Sequence, residues 1–323
     1  MARIFAYIVH KAGVVDDSAA ELAVAAKRID AAAPVTALVT GFGMDLDAAC
    51  NSLCASFEEV WKISSEALAY PDAGLVRKAL VDILPPGSIV LAPHNTFGMD
   101  MSPGLSIKTD SAFVPDVVDI EGCEETRLKL VRQEYGGQVS AHIGCDISSG
   151  VVLNIRSGAF KVEECSVANG VVVDHSIDMG DLTGIHRRYI ETVEAEMGDV
   201  DITKEEVLVS VGRGIQEQEN IAIAQELADA MTAAVSCSRP IIDAKWMEKS
   251  RQVGTSGQTV KPKVYIACGI SGSFQHMGGL KGNPFIVAIN KNPKAPIFQA
   301  ANVGIVADIL EFLPALTNRI RRL

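Results

Sequence analysis

A strand-sized apolar run followed by a helical pattern recurs along almost the whole of this sequence, and that alternation leaves few folds open. "RIFAYIV" (3–9) is long enough for one strand. "SAAELAVAAKRIDAA" (18–32) then carries apolar residues at helical spacing, with Asp17 or Ser18 as N-cap. "PVTALVTGF", "EVWKIS" and "SIVLAPH" (88–94) read as further strands, with "DAACNSLCASF" and "AGLVRKALVDIL" as helices between them. The last of these strands opens into "HNTFGMDMSPGLSIKTDS", which reads as a loop. Strands separated by helices pair in parallel, so the pattern predicts a parallel α/β sheet. "LKLVRQEYGGQVSAHIG" and "GVVLNIRSGAF" look like extended strands with glycine turns, which predicts a few added strands, some antiparallel.

A polar, acidic stretch, "EAEMGDVDITKEE" (194–206), interrupts the rhythm and reads as a linker. The alternation then restarts. "EVLVSVG", "KVYIACG", "FIVAIN" (285–290) and "VGIVAD" read as strands, and "ENIAIAQELADAMTAAV" (219–235) as a helix. The closing "ILEFLPALTNRIRRL" is a helix that Pro314 is expected to kink or restart. The expected architecture is α/β in two domains, 1–198 and 199–323, the first a parallel-sheet, nucleotide-binding-like domain and the second doubly wound.

The chain has 323 residues, 48% of them hydrophobic and 21% charged, enough to bury a core and inconsistent with disorder. Its net charge of -11 argues against general nucleic-acid binding. The seven cysteines, Cys50, Cys54, Cys123, Cys145, Cys165, Cys237 and Cys268, form no CxxC pair. They read as reduced thiols of a cytoplasmic protein, with no metal site expected. The opening "MARIFAYIVHKAG" reads as a first strand and not a signal peptide, and no stretch reaches the roughly 18 apolar residues of a membrane span, so no membrane insertion is expected.

The charge is unevenly placed. Arg239, Lys245, Lys249, Arg251, Lys261, Lys263, Lys281, Lys291 and Lys294 lie in one segment, opposed there only by Asp243 and Glu248. Such a reversal suits an anionic ligand or an acidic partner, or simply a solvated basic face. In the same segment "ACGISGSFQH" follows a strand and opens a helix at Ser273. A glycine loop between strand and helix offers unpaired N–H groups and the positive end of the helix dipole to a phosphate. Gly269 and Gly272 would admit close backbone approach, and Ser271 a hydroxyl donor. Sharper motifs fail: "GRGIQE" has Glu217 where GxGxxG needs glycine, "GISGS" has Ser273 where GxSxG needs it, and no P-loop is present. A phosphate-bearing cofactor and a plain α/β turn both remain open. So do two readings of His276, as a core histidine or as a donor to a cofactor.

The run "SRPIIDAKW … QVGTSGQTVKPKVYIACGISGSFQHMGG … IVAINKNPKAPIFQAANVGIVADILEFLPAL" resembles the flavin domain of the electron-transfer flavoprotein alpha subunit, most specifically in "GISG..QH" and "AIN.....PIF..A..GIV.D". "EYGGQVSAHI" and "NIRSGAF" extend the resemblance more loosely to the first half. It implies one FAD held mainly by the second domain, and a first domain that contacts a beta subunit. Ser271 and Gln275 match residues at the pyrophosphate and ribityl chain. His276 matches the histidine at the ring O2, Arg239 the arginine beside the ring, and Ser238 its neighbour. Ser256 falls where many members carry threonine near N5 and O4. Asn290 and Asp308 match the ADP half. Arg213, Gly254, Thr255, Gly257, Gly269, Gly272 and Lys291 complete the expected cofactor contacts. Arg239 and His276 would stabilise negative charge on a reduced ring. "VGTSG" departs from the commoner "VGQTG", so Thr255 and Ser256 stand for Gln and Thr.

The resemblance implies an electron carrier. Its donors would be flavin dehydrogenases, typically the acyl-CoA dehydrogenases of fatty acid oxidation, and its acceptor a quinone oxidoreductase or another protein. A bifurcating version would use NADH and a second FAD in the beta subunit. A non-redox nucleotide-binding module and a flavin enzyme with its own substrate are the readings from other classes.

Overall fold

The computed structural model describes residues 3–135, 139–160, 162, 169–182, 187, 189–191 and 200–322. The chain divides into two compact units, Met1–Glu191 and Thr192–Leu323. Residues 194–199 of the expected linker, and Cys165, lie outside the described residues.

The first unit begins with β1 (Ile4–Ile8), a small hairpin β2–β3 (His10–Lys11, Val14–Val15) and α1 (Ser18–Ile29). It continues with β4 (Val35–Gly41), α2 (Gly43–Leu53), β5 (Glu59–Ser64), α3 (Ala73–Ile83), β6 (Ile89–Pro93) and α4 (Thr96–Lys108). β7 (Ala112–Glu124), β8 (Arg127–Glu134), β9 (Val139–Asp146), β10 (Val151–Ile155) and β11 (Val171–Asp174) complete it. They form one nine-stranded sheet in the order β11-β5-β4-β1-β6-β10-β7-β8-β9. Every pairing from β11 to β7 is parallel, and β7–β8–β9 are antiparallel. Alternate residues of β1 feed opposite faces. Ile4, Ala6 and Ile8 pack with α1 and α2, while Phe5 and Tyr7 pack with α3 and α4.

One local expectation needs correction here. The stretch after His94 is a helix, α4, not a loop. The Asn95 side chain accepts from the Gly98 N–H at 2.8 Å, and Met101 and Leu105, one turn apart, are buried. Its glycine, serine and Pro103 disguise that pairing in the sequence. At α1, Asp17 is the N-cap, one of the two residues expected there; it makes no side-chain cap bond, and Asp16 accepts the Ser18 N–H at 2.9 Å. α3 has the stronger cap: Asp72 accepts from Gly74 and Leu75 N–H at 2.8 and 3.0 Å. Asp72→Ala is expected to cost about 1 kcal/mol, read as a lower urea midpoint.

The second unit runs β12 (Val207–Val211), α5 (Ile221–Ala230), β13 (Ala234–Cys237), α6 (Arg239–Asp243), β14 (Val264–Cys268) and α7 (Phe274–Met277). β15 (Phe285–Asn290), α8 (Ile297–Ala300), β16 (Val303–Val306) and α9 (Ile309–Ile320) follow. The sheet is all parallel in the order β13-β12-β14-β15-β16. α5 and α9 cover one face over Val209, Val211 and Ile266, and the opposite face buries Leu208, Tyr265 and Ala267. The helix expected over 219–235 stops at Ala230, because Thr232 turns left-handed at φ 52°, and Ala234–Cys237 is the edge strand β13. Pro314 does not end α9, which is one helix through it.

Candidate functional site

In the second unit the chain passes from β12 outward to β13, then returns across β12 to β14. The connections from β12 and β14 therefore run to strands on opposite sides, and a doubly wound sheet has its crevice at such a point, outside the carboxyl ends of the strands. A cleft of about 650 Å³ opens here, within the range of ligand sites. Arg213 and Gly214 come from the end of β12, and Ser238, Arg239 and Pro240 from the end of β13. Gly269–Ser271 follow β14, Asn290 ends β15 and Asn292 lies just past it. Residues 252–256 and Gln275–His276 close one side.

The floor is backbone packed on backbone. Gly212 N–H donates to Cys268 O at 2.9 Å and Gly214 N–H to Gly269 O at 3.1 Å. A Cβ on Gly214 would lie 2.7 Å from Gly269 Cα, so only glycine lets the two loops meet. Gly269 also holds φ at +66°, which turns the chain sharply out of β14. Asn290 Nδ2 donates to Ile270 O at 2.9 Å and ties the β15 end to this loop.

Charge in the cleft is sparse. Of the nine basic residues between 239 and 294 only Arg239 lines it, so most of the local excess is a solvated face. Arg213 is the second cation. Asp243 also lines the cleft, with its Oδ2 3.5 Å from Arg239 Nε and both side chains exposed.

The sequence left His276 open between a core histidine and a donor to a cofactor. α7 is only four residues long, so there is no long helix to focus a dipole, and the histidine is 4% exposed. Its Nε2 lies 2.8 Å from the Tyr265 hydroxyl. Burial pushes the imidazole down to about 4, against a smaller opposing pull from the Val253 backbone. It is neutral at physiological pH, so it offers a hydrogen bond and no positive charge. Arg239 and Arg213 carry the charge.

Of the residues assigned from sequence, the cleft gathers Arg213, Ser238, Arg239, Gly254, Thr255, Ser256, Gly269, Ser271, Gln275, His276 and Asn290. Gly257, Gly272, Lys291 and Asp308 do not line it. Gly257 packs on the Gln252 backbone and Gly272 on Ile297. Lys291 Nζ pairs with Asp308 Oδ2 at 2.7 Å, and Asp308 caps α9 through the Leu310 N–H. Sequence reasoning missed Gln252, which is buried and donates from Nε2 to Ser256 Oγ at 2.8 Å. That bond occupies a lone pair of Ser256 and leaves its proton for the cleft. Asn292, Ala295 and Pro296 were missed as well; their place just past a strand end was the available signal.

The arrangement defines a two-unit α/β protein with a cofactor cleft at the switch point of its second sheet. The family model described as electron transfer flavoprotein FAD-binding domain matches residues 201–281, and that described as electron transfer flavoprotein domain matches residues 4–178. The chain is 40% identical over 225 residues, 69% of each chain, to electron transfer flavoprotein subunit alpha of Methylophilus methylotrophus. It is 32% identical to the same-named subunit of Bacillus subtilis, over 77% of this chain and 75% of that one. It is also 32% identical to lactate dehydrogenase (NAD(+),ferredoxin) subunit LctC of Acetobacterium woodii, over 76% of this chain and 58% of that one. The chain belongs to the electron-transfer flavoprotein alpha subunit family, and its cofactor is FAD. The cleft fits such a group: a glycine floor that any Cβ would fill, two arginines for an anionic group, hydroxyl donors, and a buried His276 Nδ1 without a well-formed hydrogen bond. Among the described residues no helix is long and apolar enough to cross a membrane.

Proposed function

We propose that this chain is the FAD-holding subunit of a heterodimeric electron carrier, paired with a beta subunit. It would take electrons from flavin dehydrogenases, typically of the acyl-CoA class, and pass them to a quinone oxidoreductase or another acceptor protein. One observation carries the reading: the cleft is equipped to hold a cofactor and not to transform a substrate. Its titratable side chains are Arg213, Arg239, Asp243 and His276. Asp243 is exposed and faces Arg239, and His276 is neutral and engaged with Tyr265. No acid–base pair is left for a substrate of its own.

The flavin supplies the redox chemistry when bound. The chain's residues bind and tune it. The N–H groups and hydroxyl of the loop through Ser271, with Gln275, take the pyrophosphate and ribityl chain. Asn290 would serve the ADP half, while Lys291 and Asp308, paired with each other, do not line the cleft. Ser256, its oxygen already engaged by Gln252, would have its proton free for the ring, and Ser238 would be a second hydroxyl beside the cofactor. Arg239 places positive charge by the ring, and Asp243 moderates it. Arg239→Ala is expected to lower the midpoint potential for the first electron by on the order of 60 mV, a tenfold shift in a one-electron equilibrium. Asp243→Asn is expected to move it upward by less. Potentiometric titration reads both, and an unchanged potential in Arg239→Ala would remove the assigned role.

The overall reading is tested by isolating the chain with its native partner and counting FAD per alpha chain from the visible spectrum. One FAD with a single partner chain supports the simple carrier. A second reading, the bifurcating form, is favoured by the Acetobacterium relative, whose name joins NAD(+) and ferredoxin. It predicts two FAD per alpha chain, reducible by NADH. No flavin after reconstitution would leave the non-redox nucleotide-binding module.

A further inference from the structure

One side of the cleft is a loop, 252–258, that closes on itself. Gln258 N–H donates to Gln252 O at 2.6 Å, and Gly257 N–H to Gly254 O at 2.9 Å. A Cβ on Gly257 would fall 2.3 Å from Gln252 O, so the neck of the loop is backbone on backbone. Its base is tied to the sheet, where Gln252 bridges Cys237 at the end of β13 and Val253 N–H donates to Cys237 O at 2.9 Å. Its tip is tied to α7, where Thr255 N–H donates to Gln275 O at 2.7 Å. With the backbone held on both sides, the freedom left at Ser256 is that of its side chain.

That residue is exposed, and a serine has no β-branch to restrict χ1. A hydroxyl left to itself turns among rotamers and can donate or accept. Gln252 removes that choice. It is 4% exposed, its N–H is taken by Lys249 O at 3.1 Å and its carbonyl by Gln258, so it is the fixed member of the pair. Its Nε2 reaches across the loop to Ser256 Oγ at 2.8 Å. An amide nitrogen has no lone pair to offer and can only donate. The direction of the bond therefore follows from the atoms in contact: Ser256 accepts, and its own proton is not drawn inward. A partly buried donor left without its acceptor is costly, which adds to the hold on the serine.

We infer that Gln252 is a positioning residue: its buried amide holds the Ser256 side chain from behind in one rotamer, so that the proton is the part of Ser256 offered to the cleft. A fixed donor favours a ligand atom that gains electron density, so the pair raises the potential for the first electron. That effect on the potential rests on the FAD reading; the side-chain bond does not.

The bond and its effect are measured separately, on the full chain in complex with its partner subunit. Without FAD, the side-chain amide of Gln252 is followed by ¹⁵N NMR. Its protons are expected to exchange with solvent on the order of tenfold faster in Ser256→Ala than in the wild type, the equivalent of one lost hydrogen bond. Ser256→Ala is an exposed change that leaves the backbone bonds of the loop in place. With FAD, Ser256→Ala and Gln252→Leu are each expected to shift the one-electron equilibrium on the order of threefold toward the oxidised form, lowering the midpoint potential by about 30 mV. The double variant is expected to fall no further than Ser256→Ala alone, because Gln252 acts through the serine. Additive shifts, an unchanged potential in Gln252→Leu, or an amide indifferent to Ser256→Ala would overturn the inference. If Gln252→Leu does not assemble, Gln252→Glu takes its place. A carboxylate accepts and so draws the Ser256 proton inward. Gln252→Glu is then expected to lower the potential more with Ser256 present than beside Ser256→Ala, and equal lowering would count against the inference. A wild-type complex that binds no FAD would instead strike the functional reading, while the amide measurement still decides the bond.

Discussion

Gly269→Val is expected to collapse the cleft and destabilise the second unit by about 3 kcal/mol or more. Two costs add. The residue sits at φ +66°, where a β-branched side chain is strained. Its Cβ would also lie 2.7 Å from Gly214 Cα, which is backbone and cannot step aside. Gly43→Val is the control. Gly43 shares the conformation, at φ +67°, but a Cβ there meets nothing within 4 Å. Urea titrations of both variants therefore isolate the clash, and FAD titrations should show loss of binding only at position 269. Equal destabilisation at the two sites would mean that the close approach of the β12 and β14 loops contributes nothing.

The second large effect is on acid. His276 titrates at about 4 in the fold, below its ordinary 6.5, because burial disfavours the imidazolium. The unfolded chain takes up a proton that the folded chain refuses. The contribution is complete above pH 6.5 and is lost as pH falls from 6.5 to about 4. At about 1.4 kcal/mol per unit that interval amounts to about 3 kcal/mol. His276→Gln should flatten this part of the stability–pH profile, whatever its effect at neutral pH. Parallel profiles for the two proteins would show that acid sensitivity arises elsewhere.

The sequence carried the alternation of strands and helices, because parallel strands buried on both faces are continuous apolar runs and need no tertiary context to be seen. It did not carry α4, whose apolar pair Met101 and Leu105 is buried in a surround of glycine, serine and proline. Nor did it separate α5 from β13, since an alanine-rich stretch suits both until Thr232 turns left-handed. At the site, glycines and loop hydroxyls were visible by type and by resemblance. The basic run was less informative, since Arg239 alone among those nine residues reaches the cleft. Gln252 and Tyr265 were invisible for a general reason. They act on other side chains from behind, and only the sheet register and the packing reveal whom they touch.

The cleft draws its walls from the ends of four strands, from Arg213 to Pro296. No fragment of the second unit contains it, so a molecule seated there holds together segments that must separate when the sheet opens. Occupancy lowers the population of open forms by the factor 1 + [L]/Kd. Proteases act on those open forms. A molecule seated in the cleft would thereby be expected to lengthen the survival of each copy of the chain.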